Sequence, residues 1–214
     1  MTRIQVLAYP PNGGYPLKNN IYAFSMLQRS PCDKLCSLKL DTVNWGHEHR
    51  QMKIAKIVSG GQTGADRGGL DAAIACKLPY GGWVPKGRRA EDGGIPSRHD
   101  ALRETQSTSY VERTEANVVD SDATLVMVCG LVKSASLRTC LFAEKHQKPH
   151  LVVNLAADRK EATNQIVGWL LSLPLQEGVL NVAGSRESKV PGIQDVTRTV
   201  MINVISRVNR LGYQ

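Results

Sequence analysis

The sequence predicts an α/β fold, with a mostly parallel central sheet covered by helices on both faces. The first reason is that apolar strand-like runs alternate with helix-like ones from Met52 onward. The second is the run ATLVMVC at Ala123–Cys129, continuously apolar like a strand buried on both sides. The third is the placement of glycine: ten of the nineteen glycines fall between Gly60 and Gly94, directly after the first predicted strand. Glycine at that density lets backbone amides approach a ligand, and ligands of parallel sheets sit in the loops beyond the carboxyl ends of the strands.

Each element has a local signal. Ile54–Ser59 is apolar and runs straight into a glycine loop, which predicts a strand; Asp66–Lys77 places Leu70, Ala73 and Ile74 on one helical face. Gly82–Val84 predicts a short strand and Pro85–Arg98 a loop, followed by a helix over Ser109–Val119. After the Ala123–Cys129 strand come a helix near Ser136–His146, a strand at Leu151–Asn154 behind Pro149, and a helix around Arg159–Leu171. A short strand at Val179–Val182 and a last helix at Ile193–Leu211 complete the series. Residues 1–51 show no sustained period and carry four of the ten prolines, so they read as an extension outside the core, a dispensable segment or a partner-binding arm. Met52 resembles a natural start, and residues 52–214 read as the ligand-binding domain.

Composition excludes several classes. The 214 residues are 42% apolar and 21% charged, an ordinary globular balance. No stretch nears the roughly 18 apolar residues of a membrane helix, and Pro10-Pro11 cut the opening apolar run too early for a secretory signal, which predicts a cytoplasmic chain without a membrane partner. The net charge of +8 divides into +3 on residues 1–51 and +5 on the remainder, too little to argue for nucleic acid by charge alone. Five cysteines, three of them in apolar runs, suit reduced thiols. Cys32 and Cys36 lack a second pair, and His47-Glu48-His49 lacks the spacing of helical ligands, so no metal site is expected.

Four loops form the candidate site. In the first, Gly60, Gly61, Gln62, Thr63, Gly64 and Asp66 lie between a strand and a helix. This is neither GxGxxG nor a P-loop, yet it offers the same physics of exposed amides, a helix start and a hydroxyl for an oxyanion. The plain alternative is a tight turn with Asp66 as a helix cap. The second loop carries Lys86, Arg88 and Arg89 between glycines, with Glu91-Asp92 beside them, and reads either as an anion clamp or as a solvated basic loop. The third, Gly130–Thr139, offers Ser134 and Ser136 as ligand contacts or as caps. The fourth, Asn181–Lys189, exits a strand into Gly184, Ser185 and Arg186 ahead of a helix. Arg113 and Asn117 share a helix face that points into the site, or Arg113 pairs with an acidic neighbour such as Asp120.

Six strings in this order, SGGQTGADRGGLDAAI, GGWVPKGRRAEDGGIP, LRET, YVERTEANV, SDATLVMV and LNVAGSRESKVPGI, resemble the molybdenum cofactor carrier family, a circularly permuted relative of the YpsA branch of the SLOG superfamily. The resemblance covers about residues 53–210. It implies a Rossmann-like three-layer fold and a homo-oligomer, dimer or tetramer, that holds the pyranopterin-phosphate cofactor or molybdate without transforming it. It also implies that Gly60, Gly61, Gly64 and Thr63 cradle the ligand, that Lys86, Arg88 and Arg89 offset its charge, and that Arg113 and Asn117 line the pocket. The chain departs from the family pattern GPLTGGTxLT, reading GLVKSASLRT, so Ser134-Ala135-Ser136 bring Cβ atoms where backbone would approach a ligand. The alternative is a nucleotide-binding or nucleoside-monophosphate-hydrolysing enzyme, with Asp66, Glu104 or Glu115 as the carboxylate. A nucleic-acid role ranks last, since Trp83 alone accompanies the basic loop.

Overall fold

Six parallel strands form the central sheet in the order β5-β2-β1-β8-β6-β7. They are β1 (Lys53–Val58), β2 (Tyr80–Val84), β5 (Leu102–Glu104), β6 (Ala123–Val128), β7 (His150–Asn154) and β8 (Glu177–Gly184). A separate two-stranded hairpin pairs β3 (Arg89–Ala90) with β4 (Gly93–Gly94). The helices are α1 (Ala65–Ala75), α2 (Tyr110–Val119), α3 (Ser134–Lys145), α4 (Arg159–Ser172) and α5 (Ile193–Leu211). This computed structural model describes residues 52–211 apart from positions 133 and 157, and the side chain of Ser134 is also outside the description. The expected extension over residues 1–51, with Cys32, Cys36 and His47–His49, lies outside the described residues.

The alternation read from sequence becomes three layers. Helices α1, α4 and α5 pack together on one face, and α2 packs with α3 on the other. The β6 run shows why it had to be apolar throughout. Leu125 and Met127 enter the larger core with residues such as Ile166 of α4 and Val204 of α5, while Val126 and Val128 pack with Cys140 of α3. Successive strand side chains point to opposite faces, so a strand covered on both faces needs apolar residues at every position. Each fully buried side chain of this size contributes about 1.5–3 kcal/mol. Helix starts carry local caps as well: Ser109 accepts from the Val111 amide at 3.2 Å ahead of α2, and Asp158 from the Lys160 amide at 2.7 Å ahead of α4.

Three elements differ from the sequence expectation. The Pro85–Arg98 loop contains the β3–β4 hairpin, which is too short to show a period. The edge strand β5 has three residues, with only Leu102 turned inward. The strand expected at Val179–Val182 runs from Glu177 to Gly184 and occupies the middle of the sheet, between β1 and β6. Its register sets Met127 beside Gly184, so that β6 and β8 end nearly together, while β1 ends earlier, with Val58 beside Asn181.

At that end β8 approaches β6 without room for a side chain. A Cβ on Gly184 would lie 1.9 Å from the Met127 carbonyl oxygen. Gly184→Ala is therefore expected to cost about 2–4 kcal/mol. Gly168 sits exposed within α4, with nothing within 4 Å of an added Cβ, so Gly168→Ala is expected to raise stability by about 0.5–1 kcal/mol. Urea denaturation of the two variants checks this opposite pair of shifts.

Candidate functional site

The carboxyl ends of β1 and β8, with α2, α3 and their loops, border one polar cleft. Its lining includes Gly60, Gln62, Asp66, Arg113, Asn117 and Arg186 of the expected residues. The cleft is built around an ion pair: Arg113 Nη1 donates to Asp66 Oδ2 at 3.0 Å, with side-chain exposures of 11% and 7%. The partner of Arg113 is thus Asp66, not Asp120. Asp66 does not cap α1; Gly64 is the N-cap, with no side-chain cap bond. The pair lies directly on Gly60, where a Cβ would sit 1.3 Å from Arg113 Nη1. Glycine is required there because the guanidinium occupies the space of a side chain.

Burial pushes the Asp66 carboxyl up, and the charge and hydrogen bond of Arg113 oppose that push. Arg113 keeps an unused donor: its Nε is buried and has no hydrogen-bond partner among the described residues. Arg186, 36% exposed, stands at the rim. The Tyr110 ring lies between the two cations, 5.9 Å from the Arg113 and 5.8 Å from the Arg186 guanidinium carbon. Thr139 of α3 and Asn181 of β8 also line the cleft, with the Thr139 hydroxyl donating to the Ala135 carbonyl at 3.2 Å and the Asn181 amide to the Thr124 hydroxyl at 3.3 Å. The groups left to meet an entering ligand are the guanidiniums of Arg113 and Arg186, which suit an oxyanion.

The remaining expected residues divide between support and absence. The Ser185 carbonyl accepts from the Ala65 amide and its amide donates to Met127, each at 3.0 Å, so Ser185 joins the first and fourth loops through its backbone. Gly64 packs against that Ser185 carbonyl, and Gly61 lies beneath Ile95 and Leu102. The Thr63 hydroxyl donates to the Glu91 carboxylate. Asn117 lines the cleft, but its side chain is committed to β2, accepting from the Trp83 amide at 2.8 Å and donating to the Trp83 carbonyl at 2.9 Å. Lys86, Arg88 and Arg89 are not among the lining residues. Arg88 donates to the carbonyls of Leu102 and His99 at 3.1 and 2.8 Å and so braces its own loop. Ser136 is buried in α3 and is absent from the lining, while Ala135 and Thr139 reach it.

The roles of Tyr110 and Glu91 were not read from sequence. Their signal was present only as two acids inside a basic glycine loop and one aromatic at a helix start. Of the three carboxylates weighed for hydrolysis, only Asp66 lies in the cleft. Glu104 accepts from the Gly87 amide, and Glu115 pairs with Lys145 and His146 at 2.7 and 2.8 Å. Among the described residues there is no cluster of three His, Cys, Asp or Glu that could hold a metal ion, and no helix long and apolar enough to cross a membrane.

Arg113→Gln is expected to lower stability at neutral pH by about 3–5 kcal/mol, because it leaves a buried carboxylate without its cation. Without the guanidinium, the Asp66 carboxyl rises further above its unfolded value. The folded chain then holds a proton that the unfolded chain has released, so the deficit is full above the folded pKa and shrinks as pH falls towards the unfolded value. Urea denaturation at neutral pH and at about pH 5 should show this recovery. Asp66→Asn added to Arg113→Gln should remove the pH dependence.

Comparison with known proteins places this geometry in a family. Residues 57–205 match the model of the circularly permuted YpsA SLOG family. The chain is also similar to a crystal structure from Syntrophus aciditrophicus, a protein provisionally named molybdenum carrier protein. The two are 46% identical over 71% of this chain and 94% of that one, with a TM-score of 0.66. No curated protein matches the chain. The family match spans most of the chain, and the chain belongs to the circularly permuted YpsA SLOG family.

Proposed function

We propose that this protein is a non-catalytic carrier that holds the molybdenum cofactor through its phosphate, or molybdate itself, in the Asp66–Arg113 cleft. The observation that carries this reading is the pair of guanidiniums lining the cleft, Arg186 at the rim and buried Arg113, whose Nε has no partner among the described residues. Phosphate and molybdate are tetrahedral oxyanions that guanidinium and hydroxyl groups recognise with charge-assisted hydrogen bonds. The name of the Syntrophus relative supports molybdenum as the cargo. A cytoplasmic setting fits a reduced cofactor and the thiols of Cys76, Cys129 and Cys140, all unpaired among the described residues.

Protein incubated with the cofactor should co-elute with it and protect it from oxidation, and native mass spectrometry of protein taken from cells should show a retained ligand mass. No retention at micromolar protein would defeat the reading. Arg186→Gln is expected to weaken binding of molybdate and inorganic phosphate about tenfold, the effect of one lost charge-assisted contact of about 1.4 kcal/mol. Equilibrium dialysis measures it.

A second reading is favoured by one observation, the position of Asp66 as a buried carboxyl in the cleft. A hydrolase for nucleoside monophosphates would use it as acid or base. Base release from a panel of nucleoside monophosphates, lost on Asp66→Asn, would establish that activity, and no release would retire it. The homo-oligomer implied by the family resemblance has a candidate surface in the exposed Leu131, Leu137 and Leu141. Sedimentation of Leu137→Lys, Leu141→Lys protein is expected to show a smaller species than the parent chain.

A further inference from the structure

Each cation of the cleft already has an internal counter-ion. Arg113 faces Asp66 at 3.0 Å, and Arg186 Nη1 lies 3.9 Å from Glu91 Oε2. An entering oxyanion therefore meets charge that is already balanced, and it gains full attraction only where a resident carboxylate gives way. The two carboxylates are held very differently. Asp66 is fixed in the first turn of α1, buried against Gly60. Glu91 and Asp92 form the two-residue tip of the β3–β4 hairpin.

Outside the lining of the cleft but joined to it through Arg186, the surroundings of Glu91 have the chemistry of an oxyanion subsite. Its Oε1 accepts from the Thr63 hydroxyl and, at 3.2 Å, from the Ser188 amide. Its Oε2 accepts from the Ser188 hydroxyl at 2.7 Å and faces Arg186. Two hydroxyls, one amide and one guanidinium are what a phosphate or molybdate would engage. Burial pushes the Glu91 carboxyl up, but the bonds from Thr63 and Ser188 and the Arg186 charge outweigh it, so the group is ionised at neutral pH.

The hairpin is anchored at its base and held at its tip by side chains. At the base, the Ile95 amide donates to the Arg88 carbonyl at 2.9 Å, Ile95 is buried, and the Arg88 guanidinium is fixed on Leu102 and His99. At the tip, besides Glu91, Asp92 accepts from Arg67 at 2.6 and 2.8 Å, and the Glu91 amide donates to Gln62 Oε1 at 2.9 Å. Around Gly93 and Gly94, an added Cβ would meet nothing within 4 Å. Beyond the Arg67 bond to the Gly94 carbonyl at 3.4 Å, the glycine side of the tip is thus held by few contacts.

We propose that Glu91 is a built-in counter-anion: its carboxylate occupies an oxyanion subsite formed by Thr63, Arg186 and Ser188, and a bound tetrahedral oxyanion takes its place and releases the β3–β4 hairpin. The proposal rests on the carrier reading of the cleft and deepens it. The resident carboxylate lowers affinity for every oxyanion by the fraction of molecules in which it stays seated, so only a cargo with further contacts in the cleft holds the hairpin open.

The test uses the full chain with inorganic phosphate and molybdate as probes. In the parent protein, either probe should accelerate hydrogen exchange of the amides between Ala90 and Ile95. Glu91→Gln should bind both probes about tenfold more tightly and show fast hairpin exchange without them. Asp92→Asn, which leaves the subsite intact, should speed the exchange as well and keeps the test open where Glu91→Gln fails to fold. If the probes bind, and Arg186→Gln weakens them, while hairpin exchange is unchanged and Glu91→Gln binds no more tightly, the latch is overturned and the carrier reading stands. If neither the parent nor Glu91→Gln protein binds either probe, both are overturned.

Discussion

A carboxylate and a guanidinium, Asp66 and Arg113, meet 3.0 Å apart over a glycine that has no space for a side chain. Asp66 belongs to α1 on one face of the sheet and Arg113 to α2 on the other. The pair therefore bridges the two helical layers across the carboxyl end of β1. It works only because Gly60 lacks a Cβ. The other supports of the cleft maintain this bridge: Asn117 ties α2 to the backbone of β2, and Ser185 ties the start of α1 to the end of β6. Buried ion pairs are seldom strong contributors to stability, because desolvation offsets most of their attraction. Here the pair fixes geometry, keeping the Arg113 guanidinium in the lining of the cleft.

The same balance explains why the basic loop is not where the cleft's charge comes from. A run of cations between glycines reads from sequence as an anion clamp, yet Arg88 is engaged by two carbonyls and none of Lys86, Arg88 and Arg89 lines the cleft. What that loop brings to the first loop is acidic, through Glu91 and Asp92 at the hairpin tip. Charges near a site matter by what their side chains reach, and hydrogen bonds decide that more than sequence proximity does.

The fold was largely legible because its strongest elements have strong periods. The all-apolar β6 and the long amphipathic α5 could be read within a residue, since core packing and local propensity agree there. The hairpin and β5 were not legible. Elements of two or three residues have no period, and β5 exists because Leu102, Arg103 and Glu104 pair with the edge of β2. For the candidate site, Gly60, Gln62 and Asp66 of the GGQTGAD loop and Arg113 of α2 all line the cleft. The match of Arg113 to Asp66 rather than Asp120 was not legible, because it depends on how closely α1 and α2 approach over Gly60. Glu91 was invisible as a participant for the same reason: its partners Thr63 and Ser188 lie 28 and 97 residues away in the chain.

Such distances also bear on when the site comes into being. The Ser59 hydroxyl donates to the Val182 carbonyl across 123 residues, and β8 lies between β1 and β6, so the centre of the sheet is complete only with β8 in place. Until then Arg186 and Ser188 have no fixed position relative to Thr63. The cleft is thus a property of the completed sheet, built from non-local contacts whose closure entropy must be overcome. A cargo that recognises the assembled loops binds the folded chain and not its precursors, so it shifts the equilibrium towards the closed sheet in proportion to its occupancy. On the proposed carrier reading, holding a ligand and holding β8 in place draw on one set of contacts.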